Sequence, residues 1–130
     1  MTLADVEAHL VALIQGGTRW QAQGLDPVRG CDCYGFVRYC YGLLGIVLPQ
    51  DVLTAETAFM RVAPPYQPLD VLLCRSLAWQ APRHLALLTS ATTGYHCSKA
   101  SNGVARFQVH GAIWQRMIRQ GWRFKEHACV

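Results

Sequence analysis

Charge is scarce in this chain. Asp, Glu, Lys and Arg make up only 15% of its 130 residues, against 52% hydrophobic. That ratio excludes a disordered, self-repelling chain and supplies enough apolar material for one packed core. Long apolar runs are missing too. The longest, such as Leu43 to Leu48, are far too short to cross a bilayer, so no membrane partner is expected. The segment from Met1 to Leu10 has no basic stretch ahead of an apolar one and carries Asp5 and Glu7. No secretory signal is therefore expected, and synthesis in the cytoplasm is. Repeats and low-complexity tracts are absent. So is the dense basic stripe or motif of a nucleic-acid binder. The net charge of +4 leans toward the C-terminus through Arg106, Arg116, Arg119, Arg123 and Lys125. This reads as a solvated face, with an acidic polymer or acidic partner as the alternative.

Cysteine is not scarce, but its spacing is uninformative for metal. Among six cysteines, Cys31-x-Cys33 lacks the two-residue gap of a zinc knuckle, and no second such pair follows. Without a secretion signal a disulfide framework is disfavoured. No structural metal site is expected. Cys40 and Cys74, set among apolar neighbours, read as small core residues, and Cys129 as a loose end.

The pattern predicts an α+β chain forming one domain over 1–130. Thr2-x-x-Asp5 starts a helix whose residues Leu3, Val6, Leu10, Leu13 and Ile14 share one face, and Gly16-Gly17 stops it. Trp20 to Gly30 is a loop. A buried helix follows from Cys33, with Phe36, Val37, Cys40, Leu43 and Leu44 at spacings of three and four and Asp32 as cap. Gly35 leaves the surface beside the thiol uncovered, so that another chain can come close. Residues 51–61 read as a weaker helix and 63–68 as a rigid linker. Strands are expected at Leu69–Cys74, His84–Leu88, Tyr95–Ser98 and Val104–Val109. A loop through Trp79 and Pro82 falls between the first two. A helical turn at Trp114–Ile118 precedes a last strand at Trp122–Phe124. The central antiparallel sheet would pack against the Cys33 helix, with the N-terminal helix nearby.

The chemistry centres on Cys33. A cysteine in the first turn of a helix feels the positive end of the helix dipole, which favours thiolate over thiol. A thiolate with an imidazole in reach is a nucleophile with its general base. His84 and His96 are the candidates. In a hairpin symmetric about Ser90 they would lie directly opposite, with side-chain roots about 5 Å apart. One ring would then orient the other. His9, His110 and His127 have no such relation and read as surface residues. Trp20, Trp79 and Tyr95 are candidates to line a groove. Each is also a plausible core aromatic, the reading favoured for Trp79.

Gly30-Cys31-Asp32-Cys33-Tyr34-Gly35-Phe36-Val37 resembles the nucleophile motif of the NlpC-type cell-wall peptidases, a papain-like family. Leu69–Leu73, His84–Leu88 and Tyr95–Ser98 are similar to the segments that follow in that family, in the same order, over roughly Leu10 to Phe124. The branch it most resembles accompanies phage tails and gene-transfer particles. There Gly-Cys-Asp precedes the cysteine, the upstream loop is similar to Thr18–Ala22, and the end to Trp114–Phe124. The resemblance implies a papain-like fold, with Cys33 as nucleophile, His84 as base and His96 as orienter. It implies a substrate in the stem peptides of peptidoglycan, often cut between D-glutamate and a diamino acid, with no cofactor. Phage tail-tip proteins would be the partners and the virion tail the destination. Thr18, Trp20, Asp32 and Tyr34 become candidates to hold substrate or oxyanion. Two departures stand out. Thr18 occupies the place of the family's usual tyrosine, and Tyr34 that of its usual serine. The first keeps open a structural tail-tip subunit with little or no activity. A thiol acyltransferase or amidase is a further alternative.

Overall fold

Thr2 caps the first helix, α1 (Leu3–Gly16), by a reciprocal pair of bonds. Its hydroxyl accepts from the Asp5 amide at 3.2 Å, and the Asp5 carboxylate accepts from the Thr2 amide at 2.8 Å. Val6 and Leu10 are buried on the face the sequence marks, and Leu3, Leu13 and Ile14 are half-buried beside them. The computed structural model describes residues 1–75 and 84–128. The loop through Trp79 and Pro82, and Cys129, lie outside the described residues. Among the described residues no helix is long and apolar enough to cross a membrane.

The architecture is α+β, with helices and an antiparallel sheet. The chain divides into two compact units. The first comprises residues 1–48 and 96–105. After α1 it holds a two-stranded ribbon, β1 (Leu25–Asp26) paired with β2 (Gly30–Cys31), and then the helix α2 (Cys33–Leu43). The ribbon is structure that the reading of 20–30 as a loop did not anticipate. Phe36, Val37, Cys40 and Tyr41 are buried along α2, as its periodicity requires. His9 is not the plain surface residue expected. Its Nε2 lies 2.6 Å from the Tyr39 hydroxyl, and the two rings stack.

The second unit comprises residues 49–95 and 106–130. Its elements are α3 (Val52–Glu56), β3 (Phe59–Val62), β4 (Val71–Cys74), β5 (His84–Leu88), β6 (Thr93–Ser98), β7 (Gly103–Gln108), α4 (Ala112–Met117), β8 (Ile118–Phe124) and α5 (Lys125–Ala128). The strand order is β3-β8-β4-β5-β6-β7. β6 and β7 belong to this unit through residues 93–95 and 106–108, and their other residues belong to the first. The expected helix over 51–61 is corrected. It stops at Glu56, and Phe59–Val62 pairs with Gly121–Phe124 as an edge strand. The last strand is seven residues long and internal, between β3 and β4, not a short terminal piece.

Leu72, Cys74, Ala86, Leu88, Phe107 and Val109 form one buried cluster in this unit, with Phe107 stacked on Trp114 at 3.8 Å between ring centroids. Tyr95, a groove candidate in the sequence, is fully buried and belongs to the core. Arg123 donates two bonds to Asp70, at 2.8 and 2.9 Å, and Asp70 also accepts from the Gln67 amide at 2.8 Å. One member of the basic C-terminal group is therefore committed to a buried carboxylate.

Candidate active site

Cys33 is the first residue of α2 and is half-buried. Its position follows from Asp32, whose extended backbone and carboxylate start the helix. Oδ1 accepts from the Gly35 amide at 2.7 Å, which is the capping bond. Oδ2 accepts from the Gln23 amide at 2.9 Å, which pins the upstream loop to the same residue. Both oxygens of this substrate candidate are therefore engaged by the chain's own backbone. Gly35 is where another strand of chain comes close, and that strand is the protein's own. A Cβ at Gly35 would collide with the Gly24 carbonyl oxygen.

The loop ahead of the ribbon is stitched to β2. Trp20 forms a parallel bridge with Cys31, the Cys31 amide donates to the Arg19 carbonyl at 3.1 Å, and the Gln21 amide donates to the Cys31 carbonyl at 3.1 Å. This sets Trp20 beside the residue two places before the nucleophile candidate. Trp20 is half-buried, and the Lys99 ammonium stands 5.7 Å from its ring centroid. Nothing in the sequence marked Lys99. Thr18 does not stand free beside the thiol. Its Oγ1 accepts from the Val104 amide at 2.8 Å, against Gly103, where φ is +147° and a side chain would run into Thr18. Tyr34 is half-buried one residue into α2.

His96 lies in β6, half-buried, and its neighbour Cys97 fastens this segment to the ribbon. The Cys97 thiol donates to the Cys31 carbonyl at 3.1 Å and lies 3.8 Å from that of Arg19. Both thiols are fully buried, and the contact with Cys97, with burial added, pushes the Cys31 thiol well above the usual thiol range. Cys33, His96, Thr18, Trp20, Asp32 and Tyr34 thus fall in the first unit, and His84 in the second.

His84 opens β5, directly across β4 from Cys74, and is half-buried. Burial pulls its imidazole below the ordinary histidine value of 6.5. It is then neutral at pH 7, the form that accepts a proton. The expected register of the hairpin is corrected. Leu87 pairs with Tyr95 and Leu88 with Gly94, which centres the turn on position 91 instead of Ser90. Positions 84 and 96 are accordingly not directly opposite. The cause is the turn itself. The Ser90 hydroxyl accepts from the amides of Thr92 and Thr93 at 3.2 and 3.0 Å, which draws Ser90 to one side of the bend. Among the described residues no group of three or more His, Cys, Asp or Glu is placed to hold a metal ion.

Residues 16–123 match the NlpC/P60 family. No curated protein sequence matches the chain. Among solved structures it is similar to an NlpC/P60 family protein from Bacillus cereus, with a TM-score of 0.73, 17% identity and coverage of 95% of this chain and 40% of that one. It is similar to the NlpC/p60 domain of the peptidoglycan hydrolase SagA, with a TM-score of 0.69, 21% identity and coverage of 95% and 100%. It is similar also to the peptidoglycan hydrolase RipB from Mycobacterium tuberculosis, with a TM-score of 0.60, 18% identity and coverage of 93% and 65%. At such identities the likeness is one of fold. The chain spans about two fifths of the Bacillus cereus protein and of a lipoprotein-like NLP/P60 protein from Staphylococcus aureus. The match over 16–123 is most of its length, and the chain belongs to the NlpC/P60 family.

Proposed function

We propose that this member of the NlpC/P60 family is a cysteine peptidase that cuts the stem peptides of peptidoglycan, with Cys33 as nucleophile, His84 as general base and His96 as the residue that orients it. The observation that carries the reading is Cys33 at the first position of a capped helix, half-buried, inside the family match. A depressed imidazole at His84 supports the base assignment, because a neutral ring is the one that can take the thiol proton. The displaced register is compatible with it. Moving the opposite position by two leaves each side chain on its own face of a strand.

The steps are those of acyl transfer. His84 takes the proton from Cys33 Sγ as the sulfur attacks the amide carbon. The tetrahedral oxyanion is met by the Cys33 amide at the start of α2. His84 returns the proton to the leaving amine, and the C–N bond breaks to leave a thioester. Water, deprotonated by His84, adds to the thioester and releases the carboxylate and the free thiol. The finer reading is an endopeptidase at the bond between D-glutamate and a diamino acid. It would be made in the host cytoplasm and carried on a phage tail tip, where tail-tip proteins are its partners. The likeness of Thr18–Ala22, of Gly30-Cys31-Asp32 ahead of Cys33, and of Trp114–Phe124 to the phage and gene-transfer branch supports it. A second reading, a tail-tip subunit with little turnover, is favoured by Thr18. Its oxygen is tethered to the Val104 amide, from which it accepts, and its side chain is shorter than the tyrosine it replaces; loss of one oxyanion donor costs on the order of a hundredfold in rate.

Digestion of purified muropeptides with mass spectrometry of the products tests both. Peptidase action releases defined fragments, and Cys33→Ala abolishes them. Equal release by the variant removes the nucleophile assignment. Absence of release by the wild type favours the subunit. Transfer of an acyl group from a thioester donor with the wall left intact favours an acyltransferase.

A further inference from the structure

We propose that Cys31 and Cys97 are a modification site, a buried thiol pair that a hydroperoxide converts to a disulfide, fastening the ribbon ahead of α2 to β6. The inference stands apart from the peptidase reading and needs neither Cys33 nor His84. The Cys97 thiol donates to the Cys31 carbonyl at 3.1 Å, and the two thiols are hydrogen-bonded to each other. Both are reduced, both are fully buried, and both belong to the first unit. They lie 66 positions apart in the chain, so the contact is made by the fold and not by a local turn.

The surroundings hold the pair in place. The Cys31 amide donates to the Arg19 carbonyl, and the Cys31 carbonyl accepts from the Gln21 amide, both at 3.1 Å. With the ribbon backbone fixed in this way, the two sulfurs close to a bond of about 2 Å by turning about their Cα–Cβ bonds. Their acidities divide the roles. The contact with Cys31 draws the Cys97 thiol below its ordinary value, and the contact with Cys97, with burial added, pushes the Cys31 thiol up. Cys97 is therefore the attacking sulfur. Hydrogen peroxide reaches it by local openings of the fold. The Cys97 sulfur attacks a peroxide oxygen, the O–O bond breaks, and the departing hydroxide leaves with the Cys97 proton as water. Cys97 is then a sulfenic acid. The Cys31 sulfur attacks that of Cys97, the S–O bond breaks, and the Cys31 proton leaves with the oxygen as a second water. Two thiols are oxidised and one peroxide is reduced. The product ties the chain two residues before Cys33 to the chain one residue past His96.

The test is treatment with hydrogen peroxide of the full chain carrying Cys33→Ala, which takes the half-buried thiol of α2 out of the exchange. Remaining thiols are then blocked in denaturant, and the peptides are mapped without reductant. Trypsin, cutting after Arg and Lys, places Cys31, Cys40, Cys74 and Cys97 on separate peptides. A Cys31–Cys97 cross-linked peptide is expected, split by dithiothreitol. Oxidation should raise the melting temperature by about 5 °C or more, because the bond closes a loop of 66 positions. Cys97→Ser should remove both effects. Recovery of Cys31 and Cys97 as blocked thiols after oxidation, or a link from Cys31 to Cys40 in place of Cys97, overturns the inference. So does a melting temperature that falls as the link forms, since the fold would then have to distort to accept it. The mapping is made on the intact pair, so it decides even where Cys97→Ser fails to fold.

Discussion

Asp32 is the residue through which the start of α2 and the loop ahead of it can be taken apart in measured steps. Its two carboxylate oxygens do separate jobs, one capping α2 at the Gly35 amide and one holding the Gln23 amide. Loss of an N-cap costs about 1 kcal/mol. Loss of the second bond, to a charged acceptor but at an exposed position, costs about 1 kcal/mol more. Asp32→Ala removes both and should lower stability by about 2 kcal/mol. Asp32→Asn keeps a good cap, but its amide group can supply only one acceptor oxygen, so it should lose about 1 kcal/mol. Urea denaturation measures the difference. The midpoint should fall in two steps, wild type above Asn above Ala, with an unchanged slope, because the same surface is exposed on unfolding. Heat should report the same order, at roughly 4 °C per kcal/mol for a chain of this size. Identical losses in the two variants would refute the division of labour. A loss below about 0.5 kcal/mol for Ala, the ordinary scatter of surface substitutions, would refute the cap as well.

Four further outcomes are expected. Gly35→Ala should destabilise by about 2 kcal/mol or more, although Ala normally gains about 1 kcal/mol over Gly inside a helix, because the new Cβ meets the backbone carbonyl of Gly24; a gain on chemical denaturation would show that this approach is loose. Arg123→Met should cost about 3 kcal/mol by leaving the fully buried Asp70 with only the Gln67 amide, and a neutral result would show that the carboxylate finds water. His84, lowered by burial from 6.5, gains its proton in the unfolded chain before the folded one, so its contribution to stability is lost as pH falls from about 6.5 downward. An NMR titration of its ring that places the midpoint above 6.5 would contradict this. Iodoacetamide at neutral pH should label Cys33 ahead of Cys31, Cys40, Cys74 and Cys97, all four fully buried, and peptide mapping that finds any of them labelled as fast would contradict the packing.

The helices were legible where local signals agree with burial. In α1 the apolar spacing, the Thr2 cap and the paired glycines all point one way, and in α2 the cap and the period of 3.6 do so. β5 was legible residue for residue, because its apolar run is bounded on both sides. The edge strand β3 was not. Phe-Met-Arg-Val carries no strong period, and what makes it a strand is a partner sixty residues further along. β8 was read too short for the same reason. Ile118 to Phe124 includes a glycine, which weakens a strand in isolation. Here Gly121 is required by close approach, since a Cβ there would collide with the Tyr66 ring.

The site divides along a sharper line. Residue type says which groups can bind a substrate, and the fold decides which of them the backbone has already claimed. Thr18 and Asp32 look equally available in the sequence, but Val104 claims the first from 86 residues away, and Gln23 and Gly35 claim the second. Trp20 and Lys99 look ordinary, 79 positions apart, and become a pair only because the loop is stitched to Cys31 while the turn after β6 carries Lys99 to the ring. Polar satisfaction of the backbone comes first, since an unmet amide or carbonyl costs more than a surface contact returns. A cation resting on an indole, as Lys99 on Trp20, is a side-chain pair with no such backbone duty. That ordering is why the place of Cys33 on a helix could be read from the sequence, whereas the pairing of Lys99 with Trp20 required the fold.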